Sequence, residues 1–78
     1  MNNDFDLNLK LVSETSNHPY SGVSIWKSSN LEIKETRGGG KRQGYEGIYS
    51  VFYEGTFVKD IKFDYATSLK KELENIKI

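Results

Sequence analysis

The chain has 78 residues, and its 11 Lys and Arg balance 11 Asp and Glu, so the net charge at pH 7 is zero. This balance argues against a strongly basic nucleic-acid clamp and against an acidic mimic of nucleic acid. With no cysteine and one histidine, the chain can form no disulfide, no thiolate nucleophile and no multi-His metal site of its own.

Hydrophobic residues make up 36% of the chain and charged residues 28%, which is typical of one small globular domain over residues 1–78. A body this small has little room for a deep cleft. Self-association would add stability, so a homodimer is left open. No apolar run reaches the ~18 residues of a membrane span, and the polar start Met1–Asp4 is unlike a secretory signal. We therefore expect a cytoplasmic protein.

The first half of the chain contains three alternating runs. Apolar and polar residues alternate over residues 5–12, which predicts a strand with one wet face. Turn-forming residues and Pro19 predict a loop over residues 13–22. Alternation resumes over residues 22–28 and 31–37, and the short polar gap between these two runs predicts a β-hairpin.

Residues 46–54 carry two competing patterns. Large apolar residues recur at helical spacing between Tyr45 and Tyr53, whereas the glycines and the aromatic and β-branched content favour a strand. We interpret this segment as a strand. Another strand is predicted over residues 56–63, with Phe57, Ile61 and Phe63 on one face.

The C-terminal segment has the pattern of a helix over residues 65–76. Asp64 is its candidate N-cap, and Thr67 or Ser68 is the alternative that would shorten it. The apolar stripe of this helix consists of Tyr65, Leu69, Leu73 and Ile76. The order of elements predicts an α+β fold: a small antiparallel sheet of about five strands in a meander, with the helix packed on one face.

A glycine-rich segment over residues 37–44 carries three cations and no acid, namely Arg37, Lys41 and Arg42. It is not a Walker A loop, because Glu35 stands where the first glycine is needed and Arg42 where Ser or Thr is needed. The segment is predicted to be a flexible loop that contacts phosphates or an acidic protein surface, or else a hairpin tip kept soluble by its charge.

Aromatic residues near this loop are candidate anchors. In a strand, Tyr45, Tyr49 and Tyr53 share one face, and exposed aromatics beside cations hold single-stranded nucleic acid or form protein hot spots. The alternative is that this face is core under the helix, and then Ile48 and Phe52 face solvent or a partner. The sequence leaves both open.

Trp26 alternates out of phase with Val23 and Ile25, so it is an exposed interface anchor, part of a strand buried on both sides, or covered by the loop over residues 13–22. His18, in a polar loop, is expected to be solvated. The sequence predicts no catalytic residue, no metal ligand and no cofactor.

Taken together, these patterns predict a non-catalytic protein-binding module, an inhibitor or adaptor that occupies a surface of a larger protein or ribonucleoprotein. The alternative is a nucleic-acid-binding module that uses the glycine-rich loop and nearby tyrosines. In size and make-up, the chain resembles the small cysteine-free inhibitors of phages and mobile elements, anti-CRISPR proteins among them; this resemblance assigns no residue. The predicted partner-binding residues are Arg37, Lys41, Arg42, Tyr45, Tyr49, Tyr53 and Trp26.

Overall fold

The computed structural model describes residues 4–18, 21–38, 46–64 and 66–76, with the backbone alone for residues 16–18. Its elements are β1 (Lys10–His18), β2 (Ser21–Lys27), β3 (Leu31–Arg37), β4 (Gly47–Tyr53), β5 (Thr56–Phe63) and α1 (Leu69–Glu74). The strands form one sheet in the order β1-β2-β3-β4-β5, and each neighbouring pair is antiparallel. Within these residues, the predicted five-stranded antiparallel meander with a C-terminal helix is confirmed.

The sheet has two faces of different character, because directly opposite residues of an antiparallel pair lie on the same side. The core face consists of Leu11, Trp26, Ile33, Val51 and Lys59; Glu14, Ser24, Glu35, Tyr49 and Ile61; Gly22, Arg37, Gly47 and Phe63; and Leu31, Tyr53 and Thr56. The open face consists of three rows: Lys10, Lys27, Glu32, Phe52 and Phe57; Ser13, Ile25, Lys34, Ser50 and Asp60; and Thr15, Val23, Thr36, Ile48 and Lys62. Every buried strand residue among those described belongs to the core face, and none belongs to the open face.

The hydrophobic core joins the sheet to the C-terminal segment. Its buried members are Leu31, Ile33, Val51 and Ile61 of the sheet and Leu73 and Ile76 near the end of the chain. Half-buried residues pack against this cluster from the N-terminal segment, among them Phe5, Leu7 and Leu9. The chain therefore buries its apolar surface on one side of the sheet.

The N-terminal segment corrects the prediction of a strand over residues 5–12, because the strand begins at Lys10 and residues 4–9 pair with no described strand. The segment is tied instead to the β2–β3 turn: the Asp6 amide donates to Asn30 Oδ1 at 2.9 Å, and the Ser29 amide donates to Asp6 Oδ2 at 3.1 Å. Hydrogen bonds from the amides of Asn8 and Ser29 hold the pKa of Asp6 below its usual value. The alternation of residues 5–9 arises because one side of an extended segment packs against the core. Such packing does not require the segment to pair with a strand of the sheet.

The predicted loop over residues 13–22 is also wrong in part, because residues 13–18 continue β1 and residue 21 begins β2. β1 is an edge strand, and its described side chains from Lys10 to Thr15 are all exposed. An exposed strand needs no alternating apolar residues, so its Ser, Thr and Asn content imitates a loop.

Both edge strands contain an irregularity that changes which way the following side chains point. In β1, Leu11 pairs with Trp26 and Ser13 with Ile25, so Val12 is an extra residue. In β5, Val51 pairs with Lys59 and Phe52 with Phe57, so Val58 is an extra residue. The second bulge moves Phe57 off the face of Ile61 and Phe63, contrary to the sequence-based expectation.

The helix is shorter than the predicted span 65–76, because α1 begins at Leu69 and Ser68 is its N-cap. The Ser68 hydroxyl accepts from the Lys71 amide at 3.4 Å. Asp64, the first-choice cap, forms a local turn and accepts from the Ala66 amide at 2.9 Å. Of the predicted stripe, Leu69, Leu73 and Ile76 reach the core cluster. Tyr65 lies outside the described residues.

Candidate functional site

Two of the three tyrosines predicted to bind a partner, Tyr49 and Tyr53, lie on the core face. Tyr53 packs against Phe5 with ring centroids 5.2 Å apart, and Tyr49 stacks on Phe63 at 4.3 Å. Both tyrosines are half-buried against the core cluster. Of the two alternatives that the sequence leaves open, the structure therefore favours the one that places the tyrosine face inward. Tyr45 lies outside the described residues.

Trp26 is out of phase with Val23 and Ile25, as expected, but its side of the strand is the core face. Its indole nitrogen donates to Glu35 Oε1 at 3.0 Å, and the ring packs against the core cluster. Of the alternatives that the sequence leaves open, the structure favours a partly buried tryptophan, because Val23 and Ile25 take the open face and leave the core side to Trp26.

Arg37 is engaged within the protein. Its guanidinium donates to Ser24 Oγ at 2.7 Å and lies 3.6 Å from the carboxylates of both Glu14 and Glu35. The Arg37 side chain is 24% exposed, and Ser24 is buried. Two carboxylates already neutralise this cation, so Arg37 is poorly placed to serve as a free contact for an anionic partner. Lys41 and Arg42 lie outside the described residues.

The same polar group affects Tyr49, which lies directly opposite Glu35. Burial, reinforced by the negative charge of Glu35 and opposed by Arg37, raises the pKa of Tyr49 above its usual value. The phenol is therefore neutral at physiological pH, and beside it the carboxylates of Glu14 and Glu35 share one guanidinium. These contacts join β1, β2 and β3 at one end of the core face.

The open face carries two of the four large hydrophobic residues that are exposed in the described part of the chain; the other two, Leu11 and Val12, lie on β1. Phe57 is 54% exposed and Ile48 is 37% exposed. The rings of Phe52 and Phe57 meet edge to face, with centroids 5.6 Å apart. Ile25 and Val23 on β2 add half-exposed aliphatic surface to the same face. This mixture of aromatic and aliphatic groups is typical of a protein contact surface.

Charged groups lie among these apolar residues. The Lys27 ammonium lies 3.7 Å from Glu32 Oε1, and the Ser50 hydroxyl donates to Asp60 Oδ1 at 2.7 Å. The remaining cations of the open face are Lys10, Lys34 and Lys62; none forms an ion pair with any described residue. Four lysines against two acids give this face a positive charge, although the whole chain is neutral.

The sequence predicted that Ile48 and Phe52 face solvent or a partner only for the case in which the tyrosines face the core. It missed Phe57, because strict alternation from Ile61 assigns that residue to the core. A bulge at Val58 has no sequence signal of its own, since valine is an ordinary strand residue.

In the described part of the chain, no three His, Asp or Glu side chains lie together in a group that could hold a metal ion. The backbone of His18 ends β1, and its side chain lies outside the description. Nor does the described part contain a helix with the length and apolar character needed to cross a membrane.

No family model matches this chain, and no curated protein or solved structure matches it.

Proposed function

We propose that this protein is a non-catalytic binding module that occupies a surface of a larger protein or ribonucleoprotein through the open face of its sheet. The observation that carries this proposal is the presence of large apolar side chains, Phe57 and Ile48 foremost, on a face without a buried residue. Apolar surface of this kind on a small protein commonly marks an interaction site.

The arrangement of the helix supports the choice of face. In this proposal α1 covers the core face, since Leu73 and Ile76 share one hydrophobic cluster with Ile33 and Val51. The N-terminal segment packs against the same cluster. With both segments on one side of the sheet, the open face is available to a partner.

A protein partner suits this surface better than nucleic acid does. Two of its residues, Phe52 and Phe57, carry rings on which a base could stack, but Val23, Ile25 and Ile48 supply the rest of its apolar surface and offer no ring. The excess of lysines over acids on this face is small and the chain as a whole is neutral, so its attraction to phosphates is weaker than that of a basic nucleic-acid-binding protein. Nucleic acid remains the alternative; Lys41 and Arg42 of the glycine-rich segment would contribute to it.

The setting belongs to the same proposal. A small module that covers a surface can inhibit or adapt a larger assembly without chemistry of its own. We therefore retain the inhibitor or adaptor role, of the phage or mobile-element type, and a cytoplasmic location as proposals.

Affinity capture from a native lysate, with and without nuclease and quantified by mass spectrometry, tests the proposal. The double variant Phe52→Ser/Phe57→Ser should lower capture of a stoichiometric protein at least about tenfold, because aromatic anchors supply much of the binding energy of an interface. Wild-type capture should survive nuclease.

The matched control is Leu11→Ser, which removes an apolar side chain of similar exposure (45%) from the core face. It should retain wild-type capture. Fluorescence of Trp26 and thermal denaturation establish that each variant is folded. Capture that disappears with nuclease would favour nucleic acid, and equal capture by wild type and the double variant would contradict the open face as the site.

A further inference from the structure

We infer that the open face docks an acidic protein surface, in which a carboxylate flanked by apolar side chains pairs with Lys34. This inference rests on the proposed function, because it names the partner chemistry of the same face. It is carried by the position of one exposed lysine in the middle of that face and by the charges around it.

Lys34 is at the centre of the three rows. It lies on the middle strand β3, directly opposite Ile25 on β2 and Ser50 on β4. Directly opposite side chains have Cβ atoms about 5 Å apart, and diagonal neighbours lie about 7–8 Å away. By this register the diagonal neighbours of Lys34 include Val23, Ile48 and Phe52. Its polar neighbours on the face are Lys27, Glu32, Thr36 and Ser50, and its apolar neighbours, called here the apolar collar, are Val23, Ile25, Ile48 and Phe52.

Nearby acids do not neutralise this ammonium group. Glu32, two residues earlier on the same face, is paired with Lys27 at 3.7 Å. Asp60, in the same row as Lys34, accepts a hydrogen bond from Ser50. Lys34 forms no ion pair within the described ranges, so its charge is available to an incoming group.

Docking would remove Lys34 from water together with its apolar collar. A neutral partner would then leave a desolvated cation without a counter-charge, which is strongly unfavourable. A carboxylate at that position removes the penalty and gains a charge-assisted hydrogen bond in a low-dielectric environment. The geometry therefore selects partners by charge as well as by shape.

The outer lysines extend the same preference. Lys10 and Lys27 are directly opposite one another, and the single carboxylate of Glu32 beside Lys27 offsets only one of these two charges. Lys62 lies at another corner of the open face, opposite Ile48. An acidic partner would therefore meet complementary charge at the centre and at two corners, which also accelerates encounter.

A second copy of this chain is a poor occupant of the open face. Isologous docking would bring two surfaces of the same net positive charge together. It would also have only Asp60 to offer the Lys34 of the other copy, because Glu32 is already paired with Lys27, and the contact would hold more lysines than acids.

A displayed library of random short peptides, selected on the full-length protein, provides the probe. We expect enrichment of Asp or Glu next to Leu, Ile or Phe. Lys34→Glu should weaken binding of the selected peptides at least about tenfold, and Lys34→Arg should retain it, because arginine keeps the charge. Affinity should also fall as salt rises.

The matched control is Lys59→Glu, which makes the same charge change at an exposed lysine of the core face. It should alter affinity by less than about threefold, as expected for a charge outside the interface. A selection that enriches no acidic peptide overturns the inference, as does equal binding by wild type and Lys34→Glu.

The outcomes also separate this inference from the proposed function. If Phe52→Ser/Phe57→Ser abolishes peptide binding while Lys34→Glu does not, the open face is the site and its acidic preference is wrong. If neither change matters, both ideas are wrong. Tighter binding of a single-stranded oligonucleotide than of the peptides, with a steep loss in salt, would favour nucleic acid and overturn both.

Discussion

Ile33 and Ile48 are the same residue type on neighbouring strands, yet they differ in burial, at 0% and 37% exposed. We expect Ile33→Ala to lower the free energy of unfolding by about 3 kcal/mol, because it leaves a cavity in the core. Ile48→Ala should lower it by about 1 kcal/mol or less, since the open face is already wet. Urea denaturation followed by fluorescence of Trp26 measures both, and equal losses would contradict the assignment of the faces.

At the residue scale, the sequence separates the two sides of β4 without identifying the buried one. Tyr49 and Tyr53 alternate with Ile48 and Phe52, and both sets are large enough to form a core. The choice depends on Leu73 and Ile76, which reach the cluster from the end of the chain. The periodicity of one strand cannot predict a contact with residues that are distant in the chain.

The β4–β5 hairpin turns through Glu54 and Gly55, which both have positive φ (50° and 85°), as in a type I′ turn. A glutamate in this region is strained, whereas asparagine tolerates it. We expect Glu54→Asn to stabilise the protein by about 0.5–1 kcal/mol and to raise Tm by a few degrees, roughly 2–8 °C. Thermal denaturation measures the shift.

Glu54→Gln is the control for that change, because it removes the same charge without favouring positive φ. It should leave Tm near that of the wild type. An equal gain from both variants would show that the charge at this position, and not the backbone conformation, limits the hairpin.

At the element scale, alternation and turn residues were sufficient to find the meander and the C-terminal helix, but not the boundaries of β1 and α1. The edge strand β5, in contrast, has its predicted bounds 56–63. Residues 5–9 alternate because one side of an extended segment meets the core, while residues 13–18 pair in the sheet with little apolar content. The hydrophobic pattern follows burial, whereas strand pairing is made by the backbone, so the two differ at β1.

For the molecule as a whole, zero net charge conceals an uneven distribution, with four lysines and two acids on the open face. Of the predicted binding residues, Arg37, Tyr49, Tyr53 and Trp26 turned out to lie on the core face. Sequence spacing identified residue types that suit an interface. Which charges share a face of the sheet, however, depends on the register of the strands. The register of the strands places Lys34 and Phe57 on the same face of the sheet.

This sidedness makes a prediction about self-association. We expect the protein to be monomeric at low salt in sedimentation velocity, because positive open faces repel one another and bulges interrupt both sheet edges. Added salt should increase any dimerisation, since it screens the repulsion between the lysines of the two open faces and leaves the attraction between their apolar side chains. Phe57→Ser should suppress that dimer, whereas Leu11→Ser should not. A dimer that forms at low salt and dissociates in high salt would contradict this account.

The sequential strand order has a consequence for how the chain folds. Each strand pairs with its neighbour in the chain, so the sheet can grow hairpin by hairpin with small losses of loop entropy. The core cluster, in contrast, includes Leu73 and Ile76, which follow all five strands in the chain. During translation the five strands can therefore pair early, while the core cluster stays incomplete until Leu73 and Ile76 have been added.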